Sequence, residues 1–188
     1  MKLLFLDCET TGVDAKRNGV VQISGIIDIN GQVVEEFDFH CRPFEYKIMD
    51  FKALEVIKKS KEEVLALPDP REAYQKIISV WQKHINRYDK NDKFYMVGQN
   101  TKFDYDMITQ WFIDNGNPYF YAYVAYHLID IITITALFNL AGILSTKNMK
   151  LETVAAAFGI PLDAHNSLHD IRATRKIFYK FIEHVKGR

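Results

Sequence analysis

Only two cysteines occur in 188 residues, neither charge is in excess, and no apolar run is long. Cys8 and Cys41 match no zinc-ligand spacing and are too few for a disulfide framework, so a reducing, cytoplasmic setting is expected. Lys plus Arg number 24 and Asp plus Glu number 24, a formal net charge of zero. That excludes a protein that grips duplex nucleic acid by wholesale backbone neutralisation, and any polyanion it handles must be held locally. No stretch reaches the roughly 18 apolar residues of a membrane span, because His127 and Asp130 interrupt the nearest candidate. The N-terminal apolar run breaks at Asp7 and has neither the length nor the cleavage site of a signal peptide. There is no internal repeat, linker or low-complexity segment. With 48% hydrophobic residues and 13% aromatics, the chain has enough apolar surface for one sizeable core, and residues 1–188 are expected to form one domain.

Residues 2–7, KLLFLD, are apolar on both strand faces, the pattern of a central strand covered by helices. VVQISGIIDI, Asn30-Gly31 and QVVEEFDFHC then read as a hairpin. After Pro43 come helix-forming segments, FKALEVIKKS, KEEVLAL and a longer one from Arg71 to Asn86, punctuated by Pro68 and Pro70. KFYMVGQN reads as a fourth strand, followed by a helix from Asp104 to the Asn115-Gly116 stop. The Tyr and Val content of YAYVAYHLID favours a fifth strand over a helix. Helices at ITITALFNLAG, LETVAAAFGI and SLHDIRATRKIFYKFIEHV complete the chain.

Several acids are out of place in this pattern. Asp7 and Glu9 lie at the end of an apolar strand and project to one face, with Cys8 opposite. Two carboxylates so close resist joint ionisation unless a cation lies between them; the plainer reading is a polar strand end leading a turn. On a helical wheel Asp104 falls on the stripe of Met107, Ile108 and Trp111, whereas Asp106 faces water. Favourable placement at a helix start is the plainer account of Asp104. Asp170 shares the inward stripe of Thr174, Ile177 and Phe181, and a capping box with Ser167 is its plainer account. His165 precedes that helix on a loop. Convergence of Asp7, Glu9, Asp104 and Asp170 would explain them together, as an all-oxygen cage for two magnesium or manganese ions that also bind phosphate oxygens.

FLDCETTG, GQNTKFD and HNSLHDIRAT resemble, in order, the three exonuclease motifs of the DnaQ-like, or DEDD, 3′-to-5′ exonucleases. Histidine at 165, five residues before Asp170, resembles the histidine branch, DEDDh. The resemblance implies an α/β, ribonuclease H-like fold: a mixed five-stranded sheet, its first three strands antiparallel, with helices packed on it. It implies Asp7, Glu9, Asp104 and Asp170 as ligands of two divalent cations, Mg2+ or Mn2+, and His165 as the general base for in-line attack of water on the terminal phosphodiester. Thr10, Thr11, Gly12, Asn100 and Phe103 are the implied substrate contacts, and Asp130 an implied support. The implied partners are nucleic acid 3′ ends, as single-stranded DNA, RNA or short oligonucleotides, with room for a polymerase or other protein and none for a membrane. Gln99 departs from the histidine many relatives carry before the asparagine. Lys102, Arg172, Arg175 and Lys176 are basic residues near the motifs, with a solvated face as their plainer reading. The alternatives are another metal phosphohydrolase or endonuclease on the same fold, and a silent nucleic-acid-binding module.

Overall fold

The computed structural model describes residues 1–162 and 167–187. Strands β1 (Lys2–Thr10), β2 (Val20–Ile29), β3 (Gln32–His40), β4 (Tyr95–Gly98) and β5 (Ile129–Asp130) form one sheet in the order β3-β2-β1-β4-β5. The hairpin makes β1, β2 and β3 successively antiparallel, while β4 runs parallel to β1 and β5 parallel to β4. Asn30 (φ 55°) and Gly31 (φ 90°) provide the positive φ pair of the hairpin turn.

β1 is central, as its two apolar faces require. Leu4, Leu6 and Cys8 point into one core with Trp81, Met107 and Phe112. Leu3 and Phe5 point into a second core with Val97, Ile131, Ile177 and Phe181. Helices α3 (Pro70–Gln82) and α4 (Thr101–Asp114) supply the first core, and α5 (Ile131–Leu140), α6 (Leu151–Ala157) and α7 (Ser167–Lys186) the second. The short α1 (Phe51–Val56) and α2 (Lys61–Leu65) bury Leu54 and Val64 beneath β2 residue Val21. α7 is docked by Arg175, whose guanidinium meets the fully buried Asp28 carboxylate at 2.7 Å, with the Tyr179 hydroxyl donating to the same oxygen at 2.9 Å. Among the described residues no helix is long and apolar enough to cross a membrane.

Several boundaries differ from the sequence reading: the helix begun at Phe51 stops at Val56, and the fourth strand is only Tyr95–Gly98. The segment expected as a full fifth strand contains a 3-10 turn at Phe120–Ala122 and an isolated bridge from Val124 to Phe94; only Ile129–Asp130 pairs with β4. Phe120 and Tyr123 are buried against Trp81 and Phe112 instead, so the packing that strand propensity records is obtained without a ladder. α3 stops at Gln82 rather than Asn86, and Lys2 Nζ takes the His84 carbonyl just beyond it at 2.6 Å. α4 begins at Thr101, three residues before Asp104, for a reason that belongs to the site.

Candidate active site

The ladder between β1 and β4 covers only Leu3, Leu4 and Phe5, so β1 runs on past its partner. A central-strand N–H facing that gap needs an acceptor. Asp104 provides one: its Oδ1 accepts from the Cys8 N–H at 2.9 Å, and Asp104 is 3% exposed. A carboxylate on α4 is thereby brought to the end of β1, where Asp7 and Glu9 project. Asp106 faces outward and pairs with Lys102, as the wheel requires.

α7 closes the arrangement from the other side of the sheet. Its first residue, Ser167, is fully buried and donates its hydroxyl to the Asp7 backbone carbonyl at 3.4 Å. Asp170 lies in the first turn of the same helix and is half-buried. Burial, then the charges of Asp104, Glu9 and Asp170, push the Asp7 carboxyl well above the usual carboxylate range, with the Ser167 hydroxyl opposing. Burial likewise pushes Asp104 up to about 7, against hydrogen bonds from Cys8 and with the Glu9 charge adding to the rise. Asp7 therefore lies within electrostatic range of the other three acids, and Asp104 within range of Glu9. Burial and these charges also raise the Cys8 thiol well above its ordinary range, which leaves it un-ionised at neutral pH.

Cross-strand register adds two polar rows, Asp7–Ser24–Asp38 and Glu9–Gln22–His40. Asp38 accepts from both Ser24 and Gln22 at 2.8 Å. Its burial works against ionisation, yet hydrogen bonds from His40, Gln22 and Ser24 hold its carboxyl at about 2.

The donor set suits a hard divalent cation: it is all oxygen, and burial with like charge is the strain such an ion relieves. Among the described residues no group of three or more His, Cys, Asp or Glu side chains forms a ready-made metal cage. The carboxylates are gathered without being closed on a common point. His165 lies outside the described residues.

The loop after β1 is tied inward. Thr10 Oγ1 donates to the Gly12 carbonyl, and Thr11 Oγ1 donates to the Ile48 carbonyl while accepting from the Gly19 N–H. Both hydroxyls are thus committed to the loop's own bonds. Gly12 is required sterically, since a Cβ there would lie 2.3 Å from both Asn18 Cγ and Asp50 Oδ2. Lys47, almost wholly buried, pairs with Asp114 at 2.8 Å and donates to the Ala15 and Lys16 carbonyls, bracing the same loop against α4. Phe103 is half-buried against the first core.

Asn100 is exposed, in the left-handed region (φ 61°), immediately before α4. Asp130 holds it there: its carboxylate accepts from the N–H groups of Asn100 (3.2 Å), Thr101 (2.9 Å) and Ile132 (2.8 Å). One acid thus caps α4 and α5 together, and α4 starts early because its cap comes from β5. Asp130→Ala should lower stability by about 1–2 kcal/mol and reduce turnover, because the start of the Asp104 helix is released. A urea melt indistinguishable from the parent would contradict the capping role.

The family model described as exonuclease, RNase T, matches residues 4–178. The chain belongs to the exonuclease family. Similar to this exonuclease-family chain are PolC-type DNA polymerase III proteins, 24% identical over 97% of the chain in Thermotoga maritima and 22% identical over 100% in Pediococcus pentosaceus. The chain spans only 12% of the length of either relative. Among solved structures, E. coli exonuclease I with a dT13 oligonucleotide is 20% identical, with a TM-score of 0.75 over 96% of this chain and 40% of that one. The zinc-ion-bound form of the E. coli exonuclease I–single-stranded DNA complex gives 0.80 at 20% identity, over 100% and 41%. This likeness is one of fold, ribonuclease H-like with a mixed five-stranded sheet.

Sequence reasoning missed Ser167 as the anchor of Asp7 and a cleft of about 710 Å³ beside Gly12, where Val13 (84% exposed) and Phe51 (74%) present apolar surface. The available signal was FKALEV, which has more apolar residues than one buried stripe of a six-residue helix can hold.

Proposed function

We propose that residues 1–188 work as one exonuclease domain that hydrolyses the terminal phosphodiester of DNA or RNA from the 3′ end and releases nucleoside 5′-monophosphates. The single observation that supports this reading is the Asp104 carboxylate bonded to the Cys8 N–H, between Asp7 and Glu9, where β1 extends past β4, with Asp170 in the first turn of the helix whose Ser167 bonds the Asp7 carbonyl. These four residues would hold two magnesium or manganese ions, which supply Lewis acidity toward phosphate oxygens and make bound water acidic. His165 is the general base that takes the proton of the attacking water, a role carried from the third motif. Asn100, held exposed by Asp130, is positioned to bond the terminal nucleotide, and Phe103 lies one residue from Asp104. The Thr10–Gly12 loop supports the cleft in which Val13 and Phe51 offer apolar faces to a terminal base.

The substrates are free 3′ ends of single-stranded DNA, RNA or short oligonucleotides. The PolC-type relatives make a polymerase a partner to test. Two unpaired, buried thiols suit the cytoplasm.

The test is digestion of oligonucleotides labelled at the 5′ end, one with a free 3′-hydroxyl and one with a blocked 3′ terminus, with magnesium, manganese or EDTA. The expected result is a descending ladder and nucleoside 5′-monophosphates, only from the free end and only with a divalent ion. Full digestion in EDTA, or cleavage of the blocked oligonucleotide within the chain, would overturn the proposal.

A further inference from the structure

The basic residues that the sequence places beside the motifs are mostly occupied. Lys102 pairs with Asp106, Arg172 with Glu36 and Arg175 with Asp28; of these, only Lys176 has no acid partner among the described residues. An electrically neutral chain that handles a polyanion needs a local grip elsewhere.

Gln99 leads to one. It sits between the end of β4 and Asn100, and its Nε2 donates to the Met149 carbonyl at 2.6 Å, fifty residues on. Its Oε1 is enclosed and without a hydrogen-bond partner among the described residues, a cost tolerated where position outweighs stability. The loop before α6 is fastened once more, by Asn139, and stiffened by a turn of its own. Asn139 bonds both the hydroxyl and the N–H of Thr146, and Asn148 Oδ1 accepts from the Lys150 N–H. Lys147 and Lys150 are exposed on this braced loop, and neither side chain has a hydrogen bond or ion pair among the described residues. Together with Asn148, Thr153, Ala156 and the acid Glu152, they line a cleft of about 410 Å³.

We propose that this cleft binds the phosphodiester backbone of the single-stranded chain whose 3′ end occupies the acid site, with Lys147 and Lys150 on the phosphates and Gln99 as the latch that keeps the loop beside Asn100. The proposal rests on the exonuclease reading and adds the path of the substrate to it. A loop pinned at two points and stiffened by an internal turn presents its two ammonium groups with less ordering left to oppose binding, whereas lysines of a merely solvated face need no such bracing.

The test compares the parent with Lys147→Ala/Lys150→Ala, and with Lys90→Ala/Lys180→Ala as a control of equal charge change. Lys90 precedes β4, at the end of the strand away from Gln99, and Lys180 lies late in α7. On a single strand of about twelve nucleotides, the Lys147/Lys150 variant should raise KM about tenfold. Its log–log salt dependence should flatten by about 1.4, two phosphate contacts at about 0.7 each. The p-nitrophenyl ester of thymidine 5′-monophosphate, which has no upstream phosphate, should be turned over with unchanged kcat and KM. Gln99→Leu should reproduce part of the KM rise on the oligonucleotide with no change of charge. Unaltered KM and salt slope, an equal effect in the control, or an equal loss on the small ester would overturn the proposal. Absence of turnover by the parent on both substrates would count against the exonuclease reading instead. Anisotropy of a labelled strand of the same length, without added metal, then still reads the cleft: equal Kd and salt slope in parent and variant would overturn it.

Discussion

Asp104→Asn should reduce 3′-end hydrolysis by about a hundredfold to a thousandfold while leaving thermal stability equal to or above that of the parent. The two halves of this expectation come from different atoms. The asparagine side chain keeps an oxygen for the Cys8 N–H, which would otherwise be a buried donor without an acceptor at a cost of about 1–3 kcal/mol. It removes the charge, which at this buried position beside Glu9 is held only against the environment. The folded state therefore loses a repulsion and keeps its hydrogen bond, and the site loses a quarter of the negative charge proposed to hold divalent ions. Asp7→Ala should also abolish hydrolysis. Retention of a tenth of the parent rate by Asp104→Asn, with the protein folded, would remove Asp104 from the chemistry and leave it as a strand-end acceptor.

The metal-free protein should lose stability as pH rises from about 4 to about 7, and divalent ions should restore it. The ordinary aspartate value lies near 4, whereas Asp104 sits at about 7 and Asp7 is also raised. Below pH 4 both folded and unfolded chains keep these protons. Between the two values the unfolded chain has released them and the folded chain has not, so unfolding liberates protons and rising pH favours it. The loss is on the order of a few kcal/mol by pH 7. Asp38 works in the opposite sense at the acid end: held at about 2, it contributes stability above pH 4 that disappears as pH falls toward 2. Stability without metal should therefore peak in mildly acidic buffer. Magnesium or manganese at about a hundred times Kd adds about 2.7 kcal/mol, a rise of about 5–10 °C in Tm for a chain of this size. The gain should vanish in Asp104→Asn. A flat stability profile from pH 4 to 7 in EDTA, or an equal metal-induced rise in the variant, would contradict the link between these carboxyls and the ion.

The sequence discloses most where one residue's environment is set by its immediate neighbours. β1 is legible because residues 3–6 alternate between two cores and both are apolar. Asp104 and Asp170 are legible because a helical wheel exposes an acid on an inward stripe. Long-range fastening is not legible in this way. The early start of α4 depends on Asp130, twenty-nine residues beyond Thr101, and no local cap announces it. The tyrosines around 121–126 suggest a strand, yet only Tyr123 is buried, against Trp81 and Phe112 in an irregular segment, while Tyr121 and Tyr126 are exposed. Thr11 is placed by motif position, but nothing local announces that its hydroxyl fastens the loop to Gly19 and Ile48, which lie well along the chain.

The shortness of β4 has a functional meaning. Because β1 and β4 run side by side in the same direction and part after Phe5 and Val97, they make a fork, and the N–H groups on the inner edge of the longer tine are open to a side chain from a neighbouring helix. Two further residues zipped onto β4 would pair Cys8 through the backbone and evict the Asp104 carboxylate. An insertion that lengthens the fourth strand would therefore displace the Asp104 carboxylate from the end of β1.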